Sequence, residues 1–155
     1  MLNVGDTFPG INAKDESDNT ITNQSLKGTK VVLYFYPKDN TPGCSQEAKD
    51  FTTLYSDFLA TNTRVIGISK DSKTSHINFK EKLQIPFSLL VDEEQELCRA
   101  FGVLKEKSMF GKSYVGIERT TVLFDEQGVI KHIWQNVSVK GHAEAVLNHI
   151  KNELS

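Results

Sequence analysis

Six consecutive residues, Val31-Val32-Leu33-Tyr34-Phe35-Tyr36, are apolar or aromatic without interruption. A strand with one wet face alternates apolar and polar side chains. A continuous run of β-branched and aromatic types therefore predicts a strand buried on both faces. Pro37-Lys38-Asp39-Asn40 stops the strand. A helix is expected to start directly afterwards, with Thr41 as its N-cap and Pro42 at the first helical position, where proline is favoured. Ala48, Phe51, Tyr55, Phe58 and Leu59 give that helix an apolar stripe.

The rest of the chain supplies what covers such a strand. Residues 64–69 (RVIGIS) form a second buried strand, and residues 70–84 form a helix carrying Ile77, Phe79 and Leu83. A short strand within 86–91 and a short helix over 92–101, closed by Gly102, come next. Residues 103–118, with Gly111 and Gly116, read as a long irregular stretch holding Met109, Phe110 and Tyr114. Residues 120–125 and 129–134 form a hairpin through Glu126-Gln127-Gly128, and a closing helix over 140–152 turns Ala143, Val146, Leu147 and Ile150 to one side. Near the N-terminus, the turn-rich residues 14–20 join two short strands around Ile11 and Ile21. Strands alternating with helices make a parallel sheet, and the hairpin adds an antiparallel part. The order predicts an α/β fold: a thioredoxin-like sandwich, with a central mixed β-sheet flanked by helices and an N-terminal β extension. A flavodoxin-like sheet is the alternative, but it does not end in a tight hairpin. A chain of 155 residues suits one domain, here expected over 1–155.

Composition narrows the function classes. No apolar run approaches the ~20 residues of a membrane span, and Met1-Leu2-Asn3-Val4-Gly5-Asp6 lacks the pattern of a signal peptide. A net charge of −2, with lysines scattered among acids, gives no cluster for nucleic-acid phosphates. Two cysteines are too few for a disulfide framework, so a cytoplasmic protein with reduced thiols is expected. His76, His132, His142 and His149 are dispersed without metal-ligand spacing and are expected to be surface or packing residues. Gly111-Lys112-Ser113 is not the end of a phosphate loop, because Glu106 stands where that motif needs glycine.

The chemistry concentrates at Cys44, the third residue of the expected helix. There a sulfur meets the first backbone N–H groups and the positive end of the helix dipole, which favour thiolate. A free cysteine is only about 3% thiolate at pH 7, and lowering a thiol pKa to about 6 takes roughly 3.4 kcal/mol. A helix terminus supplies about 0.3–2 kcal/mol, so a cation must help. The chain has three arginines, Arg64, Arg99 and Arg119. Arg64 opens a strand parallel to 31–36 and so lies at the far end. Arg119 opens the first hairpin strand. If that strand is antiparallel to 31–36, Arg119 starts beside Cys44. Glu47, one turn on, could orient it. The residues alone leave alternatives: Cys44 as a small buried residue, Thr41 as a cap only, and Glu47 and Arg119 as solvated charges. A cysteine hydrolase using His132 or His142 as base, or a non-catalytic thioredoxin-fold holdase, also remains open.

Pro37-xxx-Thr41-xx-Cys44 resembles the active-site pattern of the peroxiredoxins, and FYPKDNTPGC is close to the form in the bacterioferritin comigratory protein or peroxiredoxin Q subfamily. The likeness continues through Ile68-Ser69-Lys70-Asp71-Ser72, Pro86-Phe87-Ser88-Leu89-Leu90-Val91-Asp92, Phe101-Gly102-Val103 and Gly116-Ile117-Glu118-Arg119-Thr120. The resemblance implies a thiol-dependent peroxidase without metal, haem or flavin. Cys44 would attack hydrogen peroxide or an organic hydroperoxide and become a sulfenic acid. Thr41 would hydrogen-bond peroxide and sulfur, Arg119 would stabilise both charges, Pro42 would shield the sulfur and Glu47 would hold Arg119. Many subfamily members carry a second cysteine five residues after the first; here that position is Lys49. An external thiol, from thioredoxin, glutaredoxin or a small molecule, is therefore expected to resolve the sulfenic acid, with Cys98 as the alternative. Likeness to monomeric members of the subfamily implies a monomer.

Overall fold

In the computed structural model, which describes residues 2–7 and 9–154, the chain opens with two short strands. Met1, where the expected domain and N-terminus begin, Phe8 and Ser155 lie outside the described residues. Strands β1 (Asn12–Lys14) and β2 (Thr20–Thr22) pair antiparallel and lead into a single turn, α1 (Asn23–Leu26). Then come β3 (Lys30–Phe35), α2 (Pro42–Ala60), β4 (Thr63–Ser69), α3 (Lys73–Leu83), β5 (Leu89–Val91) and α4 (Glu96–Ala100). Strands β6 (Leu104–Met109), β7 (Lys112–Ile117), β8 (Thr120–Phe124) and β9 (Ile130–Trp134) precede α5 (His142–Glu153).

The main sheet has the order β5-β4-β3-β8-β9. β3 runs parallel to β4 and antiparallel to β8, as the order of elements requires. Every residue of β3 is buried, because both faces are covered. Val31, Leu33 and Phe35 pack with Ile11, Ile21, Leu97, Cys98 and Phe101 on one side. Val32 and Tyr34 pack on the other side with Phe51 and Phe58 of α2, Phe79 of α3 and Val146 and Ile150 of α5. Tyr34 stacks on Phe51 at a centroid distance of 4.8 Å, which fixes the roll of α2 over the sheet. Full burial of one such ring is worth roughly 1.5–3 kcal/mol. This mixed sheet flanked by helices is the thioredoxin-like fold expected from the sequence.

Register decides what meets at the sheet's working end. Phe35 lies opposite Ile68 on one side and Thr120 on the other, whereas Val31 lies opposite Arg64. Arg119 therefore sits where β3 gives way to α2, and Arg64 sits at the other end.

Three local expectations are corrected. Residues 104–117 are not irregular: β6 and β7 form a hairpin with register Met109↔Lys112, closed by Phe110 and Gly111 at φ 53° and 77°. Two positive φ values are what a two-residue hairpin turn needs. The hairpin is mostly exposed, so no apolar alternation advertised it. Leu59 is 51% exposed and leaves the apolar stripe of α2. Helix α3 begins at Lys73, because the Ser72 side chain caps it by accepting from the Ser75 N–H.

Candidate active site

Thr41 occupies the N-cap position of α2, with Pro42 the first helical residue. The Thr41 hydroxyl does not cap the helix. It donates to the Lys38 carbonyl at 2.8 Å and so ties the incoming loop to itself. Pro42 is exposed, and Cys44, two residues further into the helix, is only 2% exposed. Pro42 lacks an N–H, and the Ser45 N–H already donates to the Thr41 carbonyl. The N–H groups of Gly43 and Cys44 are thus the first-turn donors that α-helical bonding leaves over.

Arg119 brings the other half of the site. Its Nη2 donates to Cys44 Sγ at 3.4 Å, and its Nη1 donates to Glu47 Oε1 at 2.6 Å. Glu47 points inward from α2 and is 1% exposed, so the ion pair is shielded from solvent on the carboxylate side. Burial pushes the Glu47 carboxyl up to about 7 against the pull of the Arg119 guanidinium, and its Oε2 is buried without a partner. For Arg119, burial works against the charge, but Glu47 and Cys44 outweigh it and raise the guanidinium pKa further. Gly43 makes room for this contact: a Cβ there would lie 3.3 Å from Arg119 Nη2. Of the five residues expected from the sequence, Cys44, Glu47 and Arg119 are joined by hydrogen bonds, Pro42 flanks them at the surface, and Thr41 has its hydroxyl turned to Lys38.

A second polar cluster lies behind the loop that carries Thr41. Asp39 accepts from the Tyr36 hydroxyl at 2.6 Å and from Ser75 Oγ at 2.8 Å, and it lies 2.8 Å from His76 Nδ1. Dispersed histidines gave no sign of it, although His76 is one helical turn from Phe79 on the buried side of α3. Asp39, Asp71 and His76 are the one group among the described residues whose donor atoms lie close enough to share a metal ion, within 4.8 Å. They do not suit one. His76 Nδ1 faces Asp39 and Nε2 faces the Leu90 carbonyl at 2.8 Å, while Asp71 Oδ2 accepts from Ser69 Oγ and from the Asp39 N–H. The cluster is closed by its own hydrogen bonds.

The remaining candidates lie apart from the sulfur. Burial, then the charge of Arg119, lowers His142 to about 4, so it is neutral, and its Nε2 pairs with the Thr121 hydroxyl at 2.8 Å. His132 packs on His149 with ring centroids 4.4 Å apart. Neither His132 nor His142 has the sulfur contact that a hydrolase base needs. Cys98 belongs to the core on the opposite face of the sheet from Cys44. Burial, reinforced by Asp92, pushes its thiol far above the ordinary range.

Residues 4–133 match the model of the AhpC/TSA family. The chain is 43% identical over 151 residues to the peroxiredoxin Bcp of Bacillus subtilis, covering 97% of this chain and 96% of that one. The structure resembles PrxQ of Xylella fastidiosa with a TM-score of 0.95 and 39% identity, covering 100% of this chain and 99% of the other. It also resembles the bacterioferritin comigratory protein of Xanthomonas campestris, studied for alkyl peroxide reduction, with a TM-score of 0.90, 38% identity and coverage of 97% and 100%.

Proposed function

The chain belongs to the AhpC/TSA family, as one of its bacterioferritin comigratory or Q-type peroxiredoxins, and on that premise we propose that Cys44 is the sulfur with which this thiol-dependent peroxidase attacks its substrate. The observation that carries the assignment is the guanidinium of Arg119, which spans Cys44 Sγ and Glu47 Oε1. The Cys44 thiolate attacks the terminal oxygen of R–O–O–H. An S–O bond forms, the O–O bond breaks, and the departing RO⁻ takes a proton from solvent. Arg119 holds the thiolate before the reaction and meets the charge that develops on oxygen. The Gly43 and Cys44 N–H groups add donors from the helix start, the Thr41 hydroxyl turns from Lys38 to the peroxide, and Pro42 keeps bulk water off the sulfur. Glu47 anchors Arg119. Hydrogen peroxide and organic hydroperoxides are both substrates, and the alkyl peroxide activity of the Xanthomonas relative supports the second class.

The sulfenic acid is resolved from outside the chain. A dithiol such as thioredoxin or glutaredoxin, or two small thiols, displace water from it, form a disulfide and return Cys44 to the thiol. Lys49 stands exposed on α2 where many relatives keep a second cysteine. Cys98 is a poor substitute, being buried beyond the sheet with its thiol held protonated. No described helix is long and apolar enough to cross a membrane. We further propose a single domain over 1–155 that works as a cytoplasmic monomer, on the likeness to the subfamily given above. The test is peroxide consumption with a thiol reductant. Cys44→Ser should abolish it and Cys98→Ser should leave it intact; full peroxide consumption in Cys44→Ser, or none in the wild-type protein, as a holdase or a hydrolase would show, discards the assignment.

A further inference from the structure

Residues 36–41 join β3 to α2, and within them only Asp39 is both charged and buried. It lies two residues before Thr41 and five before Cys44. Its carboxylate meets the Tyr36 hydroxyl, the Ser75 hydroxyl and His76 Nδ1, all at 2.8 Å or less. Its N–H donates to Asp71 Oδ2 at 2.8 Å. The loop is thus held through main chain and side chain together.

His76 is the centre of that hold. The Leu90 carbonyl can only accept, so Nε2 carries a proton. With two hydroxyls already donating to Asp39, the short Nδ1 contact is satisfied when Nδ1 carries a proton too. The ring is then an imidazolium, 0% exposed, against a carboxylate 4% exposed. The ionisable groups facing it are Asp39 from the loop, Asp71 from the turn after β4 and the Tyr36 phenol at the end of β3; β5 contributes the Leu90 carbonyl. Burial pulls its pKa down, but the Asp39 hydrogen bond and charge, Leu90 and Asp71 together bring it above the usual histidine value. A paired charge in such a place adds little net stability, yet breaking it leaves a buried unpaired ion, so it fixes geometry strongly.

We propose that His76 is a positioning residue for the peroxide step: by clamping Asp39 it sets the loop that presents Thr41, Pro42 and Cys44, without touching the reacting atoms. The proposal rests on the peroxidase assignment above. Displacement of a site by about 1 Å costs on the order of 100-fold in rate, so His76→Gln and Asp39→Asn should each lower kcat/KM for hydrogen peroxide about 10- to 100-fold. Because both act through one contact, the double variant should fall no further than the worse single variant. Alkylation of Cys44 by iodoacetamide, which needs no peroxide geometry, should stay within about threefold or rise. That split separates positioning from general damage. If His76→Gln does not fold, Asp39→Asn carries the same comparison. An unchanged kcat/KM in the folded variants, equal loss of peroxide and alkylation rates, or a double-variant loss equal to the product of the singles overturns the proposal. Wild-type protein that consumes no peroxide would instead remove the peroxidase assignment.

Discussion

Arg119 divides its guanidinium between two side chains, and Glu47 holds the closer one at 2.6 Å against 3.4 Å for the Cys44 sulfur. A lysine is a point charge and cannot serve both with fixed geometry. Arg119→Lys should therefore lower kcat/KM for peroxide by about 10²-fold, the scale of one lost charge-stabilising donor; stopped-flow rates check it, and a loss under threefold would show that the fork is not needed. Glu47 gives a pH prediction with a definite sign. Burial raises its carboxyl from 4.5 to about 7, so the folded chain binds more protons than the unfolded chain in that window. Stability contributed by this group falls as pH rises through it. Glu47→Gln should gain more melting temperature over wild type near pH ~8 than near pH ~5, while losing peroxide rate because Arg119 loses its anionic anchor. A larger gain at the acidic end contradicts the argument. Much of this site was legible in the sequence, because an antiparallel pairing of the hairpin strand with 31–36, which β3 and β8 do make, brings Arg119 to the end of the sheet that carries Cys44. The clamp of Asp39 and His76 was not, since 37 positions separate them and only the packing of α3 on the loop joins them.

Among the elements, those with a buried face announced themselves and the hairpin of β6 and β7 did not. α2 and α5 carry apolar stripes that meet the sheet, and β3 is buried throughout. β6 reads Leu104-Lys105-Glu106-Lys107-Ser108-Met109 and is largely exposed, so its pairing is set by backbone bonds and the turn rather than by a core. Its turn also hides from inspection, because Phe110 occupies a left-handed position at φ 53° where asparagine is the usual signal. The phenyl ring is 97% exposed and gains nothing from burial. Phe110→Asn should stabilise the protein by about 0.5–1 kcal/mol in urea denaturation; a loss of stability would mean that the ring packs on something.

For the molecule as a whole, the central sheet separates the two cysteines. Cys44 belongs to the core under α2 and α5, and Cys98 to the core under the N-terminal strands and α4. A bond between them needs α-carbons within about 7 Å, and sulfurs in separate cores reach it only after local unfolding. Oxidised protein should therefore show no Cys44–Cys98 disulfide in non-reducing peptide mass spectrometry, and turnover should depend on added thiol; that bond in most molecules would contradict the external route. In the proposed reaction one sulfur, at the start of α2 and under Arg119, takes the peroxide oxygen. The most direct test is a single equivalent of hydrogen peroxide followed by dimedone, with the adduct located by peptide mass spectrometry. The label should fall on Cys44, be absent in Cys44→Ser and be sharply reduced in Arg119→Lys. Peroxide consumed at the wild-type rate with the label on Cys98, or with none on Cys44, would contradict it.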